Sequence, residues 1–308
     1  MGTPEFAVPA FQALIHRDDI RVVAACTQPD REAGRGRRLT PSPVKRLAQI
    51  HSLPLLQPLS LKDPLARKSI QRLAPDIIVV AAYGKIIPQQ ILSIPRYGCL
   101  NLHPSLLPVY RGASPIPAAI LNGDSVSGVT VMLLDAGMDS GPILRSRELE
   151  VRDDDTAGSL GARLAEMAAD LLLEILSPWL KCEIHPYPQD ESRATYTEPI
   201  GKGDGQIRWE QEALIIWRKI RAYQPWPGSF TSWNGKNLKV LSGLVLPYIA
   251  GLDPGSVVGL QPSCGTRVGV VCGRGVLGLL RLQLEGRREV TAEEFIRGQR
   301  DFIGSRLL

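Results

Sequence analysis

Short apolar runs alternate with helical patterns along the chain as far as Leu180, and no other feature restricts the possible folds as strongly. Strands that alternate with helices build a sheet with helices packed on its faces, because each helix buries its apolar stripe against the sheet. We therefore predict a Rossmann-like wound parallel sheet, of α/β class, for residues 1–182. The predicted strands are Arg21–Ala25, Asp76–Ala82, Gly98–His103 and Gly128–Leu134, and the predicted helices are Val8–His16, Ser42–His51, Pro64–Leu73, Pro115–Leu121 and Asp155–Leu176.

A different pattern follows Leu180. Residues 183–204 are rich in proline, glycine and charge, which predicts a linker. Beyond them the predicted strands are short and closely spaced, and the Asn234-Gly235 pair is a strong signal for a tight hairpin turn. This spacing favours a small barrel, so we predict an OB-like β-barrel domain for residues 205–308. Its predicted strands are Gln206–Trp209, Ser229–Trp233, Leu238–Leu246, Ser256–Leu260, Val268–Val271 and Val276–Leu284, with helices at Gln211–Ala222 and Thr291–Gln299.

Cysteine and histidine usage argues against several classes of protein. The five cysteines form no close pair and the four histidines are scattered, so neither a disulfide framework nor a metal cluster is expected. No stretch approaches the roughly 20 apolar residues of a membrane-spanning helix, and the N-terminus lacks the features of a secretion signal. We predict a metal-free protein of the reducing cytoplasm.

The net charge of +5 is unevenly distributed. Residues 205–308 carry 14 lysines and arginines against 8 acidic residues, whereas the first 204 residues carry 22 against 23. A basic segment beside a nearly neutral one favours a polyanionic partner. A solvated surface with no partner is the alternative, and charge alone does not separate the two.

One polar motif, from Asn101 to Gly112, starts where a predicted buried strand ends. Open α/β sheets bind their ligands at that end of the strands. Because side chains alternate along a strand, Asn101 and His103 share a face, and Asp139 follows the next predicted strand. An amide, an imidazole and a carboxylate at neighbouring strand ends can form an acid–base site without a metal. Each of the three can instead be an ordinary hydrogen-bonded or turn-capping residue.

A second motif, in residues 31–45, combines two glycines with five positively charged residues. A flexible basic loop of this kind suits the phosphates or the grooves of RNA. A solvated run of charge is again the alternative. The basic residues are Arg31, Arg35, Arg37, Arg38 and Lys45.

The pattern Asn-x-His-x-Ser-Leu-Leu-Pro, followed by Asp-x-Gly-x-Asp-x-Gly, resembles the folate-dependent formyltransferase family. Further segments narrow the resemblance to the methionyl-tRNA branch of that family, and they extend from residue 2 into the last third of the chain. They are Gly2–Ala7, Thr27–Arg31, Ala33–Gly36, Pro41–Lys45, Ala82–Gly84 and Arg221-Ala222-x-x-Pro225-Trp226-Pro227.

The resemblance implies a transferase that moves the formyl group of its co-substrate, 10-formyltetrahydrofolate, onto the methionine amino group of initiator tRNA for translation initiation. Asn101 and His103 would hydrogen-bond the formyl oxygen. Asp139 would orient and charge-pair His103 and help to relay the released proton. Part of the folate pocket would be formed by Ser105, Leu106, Leu107 and Pro108. The basic loop, with Arg35 at the matching position, would meet the acceptor end of the tRNA, and the protein would act as a monomer.

The chain also differs from the family at its start. In the family a buried strand precedes the Gly-Thr-Pro turn, which here lies at residues 2–4. That strand is central in a doubly wound sheet, and its loss would expose edges on both neighbouring strands. We therefore expect the true start to lie upstream of Met1.

Other users of the same formyl donor are alternatives: enzymes that act on a glycinamide ribonucleotide, on a nucleotide sugar or on water. The basic segments favour tRNA over these smaller substrates. A non-catalytic RNA-binding protein descended from the enzyme is a further alternative. The presence of Asn101, His103 and Asp139 argues against it.

Overall fold

The computed structural model describes residues 1–33, 38–247 and 251–308. The chain divides into two units. The first contains Met1–Pro115, Val126–Glu150 and Leu160–Glu198, and the second contains Ile116–Ser125, Val151–Ser159 and Pro199–Leu308. The division into 1–182, 183–204 and 205–308 stays a prediction, but residues 187–197 of the predicted linker are hydrogen-bonded within the first unit.

Helices and strands up to Leu180 follow the predicted order. Two helices begin where the sequence supplies a cap and then a proline: Ser42 Oγ accepts from Lys45 N at 3.1 Å, and Asp63 Oδ1 accepts from Leu65 N at 2.9 Å. The helices are α1 Val8–Ile15, α2 Pro43–Ile50, α3 Pro64–Arg72, α4 Gln89–Leu92, α5 Pro115–Asn122 and α6 Ala157–Leu180. The strands of the first unit are β1 Ala25–Cys26, β2 Arg31–Ala33, β3 Arg38–Thr40, β4 Leu55–Leu56, β5 Ile78–Val80, β6 Cys99–His103, β7 Arg111–Gly112, β8 Val126–Leu133, β9 Ile143–Glu150 and β10 Tyr196–Thr197.

The main sheet of the first unit has the strand order β5-β6-β8-β9. Strands β5 and β6 are parallel, whereas β8 runs antiparallel to β6 and β9 antiparallel to β8. The α/β class is confirmed, and the sheet is mixed rather than parallel throughout. Strand β9 was not predicted; it forms a hairpin with β8, which antiparallel strands can do through a short loop.

Met1 and Gly2 lie between β1 and β5. Gly2 N donates to Cys26 O at 3.0 Å, and Ala81 N donates to Met1 O at 2.9 Å. Strand β1 is shorter than the predicted Arg21–Ala25, and the residues before Ala25 border an apolar cavity of about 150 Å³. Atoms that face such a cavity lose packing contacts, so this part of the core is less tightly held than the main sheet.

The second unit contains a six-stranded antiparallel sheet with the order β11-β12-β15-β14-β13 and with β16 paired to β15. At the predicted Asn234-Gly235 turn both residues have positive φ, 49° and 72°, as a two-residue hairpin turn requires. Its strands are β11 Ser229–Trp233, β12 Lys236–Leu246, β13 Val257–Gly259, β14 Val268–Val271, β15 Val276–Leu284 and β16 Val290–Thr291, and its later helices are α7 Ala213–Ala222 and α8 Ala292–Gly298.

The last residues of the chain link the two ends of this curled sheet. Ser232 on β11 exchanges backbone hydrogen bonds with Leu308, and Val257 on β13 donates to Ser305 O at 2.9 Å. The result is a barrel-like β unit, as predicted, in which coil rather than strand joins the edges. The predicted strand Gln206–Trp209 is absent from the described structure, where Gln206 makes only an isolated bridge to Phe230.

Aromatic side chains pack among the aliphatic residues in the core of the second unit. Trp233 packs edge-on against Phe302, with 5.2 Å between the ring centroids, and its Nε1 donates to Ser305 Oγ at 3.0 Å. Trp209 is buried and donates to Thr231 Oγ1 at 3.0 Å. These two tryptophans are therefore core residues. No helix in the described ranges has the length and apolarity that membrane crossing needs.

Candidate active site

Three polar side chains meet beside the second half of β6. Asn101 and His103 project from the same face of β6, as the alternation predicts, and Asp139 lies in the loop between β8 and β9. Asp139 Oδ1 lies 3.4 Å from Asn101 Nδ2, and Asp139 Oδ2 lies 3.6 Å from His103 Nδ1. Asn101 is 8% exposed and His103 4%. Because β8 runs antiparallel to β6, its end lies beside the start of β6. The loop after β8, rather than a neighbouring strand end as predicted, brings the carboxylate to the amide and the imidazole.

The Asp139 carboxylate is fixed by the backbone as well. Gly112 N donates to Asp139 Oδ2 at 2.8 Å. Asp139 itself has φ of 50°, in the left-handed region that non-glycine residues seldom adopt. Gly112 has φ of 103°, and a Cβ there would lie 2.5 Å from Thr197 O. Only glycine fits at this position, which lets the backbone approach the carboxylate.

Both ring nitrogens of His103 face oxygen atoms. Nε2 lies 2.9 Å from Tyr110 O, and Nδ1 faces Asp139. A neutral imidazole carries one N–H, so only the protonated ring can donate to both oxygens. Among the contacts of the described residues, the Asn101 amide makes only the long one to Asp139, which leaves it an N–H for a ligand. The amide is thus better placed than the imidazole to hydrogen-bond a new oxygen.

The loop after β6 is held by the buried hydroxyl of Thr130. This hydroxyl donates to Ser105 O at 2.8 Å and accepts from Leu107 N at 3.1 Å. Ser105 Oγ donates to Val109 O at 2.5 Å. Three of the four residues predicted to bind folate are buried, and Leu106 is half-buried, so the loop has a defined shape; the set is Ser105, Leu106, Leu107 and Pro108.

Residues 187–197, here called the strap, were predicted to be part of a linker and were missed as part of this site. Tyr187 exchanges backbone hydrogen bonds of 2.8 and 3.0 Å with Ile143, and β10 pairs in parallel with β7 beside Gly112. The signal that could have revealed β10 is the run Thr195-Tyr196-Thr197, since β-branched and aromatic residues favour strands. The strap therefore belongs to the first unit and borders the loop that carries Asp139.

Of the predicted basic loop, Arg31 and Arg38 lie on the antiparallel strands β2 and β3, and Arg35 and Arg37 lie outside the described residues. Arg31 and Arg38 are exposed on the hairpin strands. Lys45 lies on α2, where its Nζ is 2.6 Å from Asp30 Oδ2.

That ion pair fixes the base of the hairpin. Gln57 Nε2 also donates to Asp30, at 3.0 Å from Oδ1. The hydrogen bond from Lys45, followed by that from Gln57, holds the pKa of the Asp30 carboxyl below its ordinary value. Lys45 is thus ion-paired with Asp30, whereas the side chains of Arg31 and Arg38 are exposed at the surface.

Within the described ranges, no group of three or more histidine, cysteine and acidic side chains is arranged to hold a metal ion.

Comparison with known proteins gives matches along the whole chain. The formyl transferase family model matches residues 1–176, and the formyl transferase C-terminal domain model matches residues 199–300. The methionyl-tRNA formyltransferase of Methylococcus capsulatus is 44% identical over 295 residues, which cover 96% of this chain and 94% of the relative. That of Dehalococcoides mccartyi is 46% identical over 309 residues, which cover 100% of this chain and 97% of the relative.

A solved structure with a similar fold is the N-formyltransferase from Helicobacter canadensis in complex with folinic acid and dTDP-3-aminofucose. Its TM-score is 0.64 at 16% identity, and the similarity covers 90% of this chain and 97% of that one. At this identity the likeness concerns the fold alone. The family matches and the near full-length relatives go further: the chain belongs to the formyl transferase family, in its methionyl-tRNA formyltransferase branch.

Proposed function

We propose that this protein transfers the formyl group of 10-formyltetrahydrofolate to the α-amino group of methionyl initiator tRNA, the step that prepares the tRNA for translation initiation. The observation that carries the proposal is the position of the Asp139 carboxylate beside β6, 3.4 Å from the Asn101 amide and 3.6 Å from the His103 imidazole. Relatives of this branch that are 44% and 46% identical over nearly the full chain support the same substrate pair.

The chemistry needs a hydrogen-bond donor for the formyl oxygen and a route for one proton. The methionine amine forms a bond to the formyl carbon, the bond from that carbon to the folate nitrogen breaks, and a proton passes from the amine to the folate nitrogen. The Asn101 amide donates to the oxygen as negative charge builds on it. His103 Nε2 gives up its contact with Tyr110 O and donates a second hydrogen bond to the formyl oxygen. Asp139 keeps the imidazole oriented and helps to relay the proton.

The two substrates are assigned to different parts of the chain. The loop Ser105–Pro108 forms one wall of the folate pocket, and its fixed shape supports this assignment. Arg31, Arg35, Arg37 and Arg38 contact the acceptor end of the tRNA, and Lys45 contributes mainly by anchoring the hairpin through Asp30.

The second unit supplies further tRNA contacts from four exposed cations at one end of its sheet. Asn237 and Glu285 exchange hydrogen bonds that join the start of β12 to the turn after β15. Cations on both sides of this junction are therefore close to each other. They are Lys236, Lys239, Arg287 and Arg288. We assign the protein to the cytoplasm, where initiator tRNA is charged, and infer that it acts as a monomer.

A single assay separates this function from its alternatives. Purified protein is incubated with 10-formyltetrahydrofolate and, in parallel, with methionyl initiator tRNA, a 3-amino nucleotide sugar, glycinamide ribonucleotide or water alone. We expect formylmethionyl-tRNA as the product, at least 100-fold faster than any other. Formylation of the sugar or of the ribonucleotide, or hydrolysis of the donor, would show that methionyl-tRNA is not the acceptor. Binding of charged and uncharged tRNA without formyl transfer would indicate the non-catalytic alternative.

A further inference from the structure

We propose that the strap is a positioning element for the His103–Asp139 pair and that the Gln189 carboxamide is its central link. The inference rests on the proposed function for its kinetic readout, but it also has a spectroscopic readout that does not depend on activity. Gln189 contacts no reacting group; it acts on Asp139 through the backbone of the loop that carries it.

The nitrogen of the Gln189 side chain holds this loop. Nε2 donates to Asp139 O at 2.8 Å and to Gly141 O at 2.7 Å. Asp139 has a left-handed backbone conformation, which is less stable than the ordinary regions unless neighbouring groups impose it. The two hydrogen bonds from one amide impose it directly, because they fix the carbonyls on both sides of Ser140.

The oxygen of the same side chain is held by Arg111. Gln189 Oε1 accepts from Arg111 Nε at 3.0 Å and from Nη2 at 2.8 Å. The carboxamide therefore has acceptors on its nitrogen side and donors on its oxygen side, so only one orientation satisfies all four hydrogen bonds. Gln189 is the shared partner of the Arg111 side chain and the Asp139 loop.

The Arg111 side chain is in turn fully buried, and each of its nitrogens donates hydrogen bonds. Its two terminal nitrogens contact Glu191 at 2.9 and 2.7 Å, and Nη1 also donates to Tyr196 Oη at 3.1 Å. The hydrogen bonds with Glu191 raise the pKa of the Arg111 guanidinium above its ordinary value, so it stays charged. The next residue, Gly112, donates its N–H to the Asp139 carboxylate. The chain of bonds from Asp139 through Gly112, Arg111 and Gln189 returns to Asp139 and closes a ring.

The strap also fixes the other side of the imidazole. Thr195 Oγ1 accepts from Tyr110 N at 2.8 Å, and Thr195 O accepts from Arg111 N at 2.8 Å. Tyr110 O is the atom that faces His103 Nε2. The groups that face the two ring nitrogens are therefore both set by the strap, Asp139 through Gln189 and Tyr110 through Thr195.

The test compares Gln189→Met with Glu191→Gln. Methionine keeps the length of the side chain and removes every hydrogen bond of the amide, whereas Glu191 is two-thirds exposed and acts on Arg111 only from the far side. We expect Gln189→Met to lower kcat about 10- to 100-fold, as a displaced catalytic pair would. The KM values for methionyl-tRNA and for the folate should stay within twofold, and the pH profile of kcat should shift. Glu191→Gln should keep kcat within threefold.

A second variant, Gln189→Glu, gives an independent check. It keeps the shape but places a carboxylate oxygen against the two loop carbonyls, so the loop should be displaced as in Gln189→Met. Nitrogen-15 NMR of the His103 imidazole, assigned with a His103→Gln sample, reads the ring environment without any turnover. We expect its resonances to move in both Gln189 variants and to stay unchanged in Glu191→Gln.

The outcomes are distinguishable from failure of the proposed function. If the wild-type protein formylates no tRNA, the proposed function is wrong. The His103 imidazole resonances would still test whether the strap positions the His103–Asp139 pair. If both Gln189 variants keep kcat within threefold, or leave the His103 resonances unmoved, the positioning role is wrong. The same holds if Glu191→Gln loses as much kcat as Gln189→Met, because the effect would then reflect general loss of the buried Arg111 cluster.

Discussion

At the scale of single residues, the site depends on side chains that satisfy buried backbone groups. Thr130 is an example, since its hydroxyl lies on β8 and bonds two backbone groups of the loop after β6. A buried N–H or C=O that loses its partner costs more than the hydrogen bond had contributed, because water cannot replace it. The shape of the proposed folate wall therefore depends on a residue that no motif identified.

We predict that Thr130→Val lowers the free energy of unfolding by about 1–3 kcal/mol, because Leu107 N and Ser105 O lose their shared partner while the shape of the side chain is kept. Urea denaturation followed by circular dichroism measures the change. Thr130→Ser retains the hydroxyl and serves as the control. Equal stability of Thr130→Val and the wild type would contradict the proposed role of the hydroxyl.

A second prediction concerns the proposed oxyanion donor. We expect Asn101→Ala to lower kcat/KM for methionyl-tRNA by about 10²–10³-fold, the usual effect of removing one such donor. Steady-state kinetics measures this, with the thermal unfolding midpoint as a check on folding. Gln89→Ala, at an exposed position of α4 whose side chain donates only to Ser93 Oγ, is the control. A loss below tenfold would show that the amide has a structural role only.

At the scale of elements, local sequence determines where helices begin. In α8, Thr291 Oγ1 accepts from Glu294 N at 3.2 Å, and Thr291 N donates to the Glu294 carboxylate at 2.9 Å. This is the capping box that the sequence predicts. The hydrogen bonds from the backbone and the side chain of Thr291 hold the pKa of the Glu294 carboxyl below its ordinary value.

We predict that Thr291→Ala lowers the free energy of unfolding by about 1 kcal/mol at pH 7, because the first turn of α8 loses its cap. The Glu294 contribution has a definite pH dependence. Since its pKa is lower in the folded protein, the stabilisation is present above the pKa of the unfolded chain and is lost as the pH falls through the folded value. Glu294→Gln should therefore differ from the wild type at pH 7 and converge with it near pH 3 in urea titrations. A constant difference would contradict this.

At the scale of the whole molecule, the net positive charge comes from residues 205–308, where basic residues outnumber acidic ones. Two cations of α7 are engaged in internal contacts: Lys219 donates to Gln211 Oε1 at 3.0 Å, and Arg221 Cζ lies over the Trp217 ring, 3.8 Å from its centroid. Burial lowers the pKa of both groups. The exposed cations named above are better candidates for phosphate contacts.

We predict that raising the salt concentration from 50 to 200 mM lowers kcat/KM for methionyl-tRNA about 10- to 100-fold through KM, because tRNA binding releases counterions. The KM for the folate should change little. The double variant Arg287→Gln/Arg288→Gln should reduce the slope of log kcat/KM against log salt by about 1–2. An unchanged slope would exclude these two residues from the tRNA contact.

The sequence by itself determined the features that depend on neighbours along the chain. The predicted helices up to Leu180 agree with the structure to within a few residues, since caps such as Ser42 act over one turn. The shared face of Asn101 and His103 follows from strand alternation. Strand β9 was missed because its burial pattern is mostly half-buried or exposed, as in an edge strand, so it lacks the apolar run that marks a central strand.

Only the tertiary structure decided the features that depend on distant partners. The strap has the composition of a linker, yet Gln189 contacts Arg111, 78 positions earlier in the chain, and the Asp139 loop, 50 positions earlier. The antiparallel direction of β8 and the ion pair between Lys45 and Asp30 also depend on residues that are not neighbours along the chain. The local sequence determines which hydrogen-bonding groups a residue offers. Which partner each group binds is determined only when distant strands and loops come together in the folded chain.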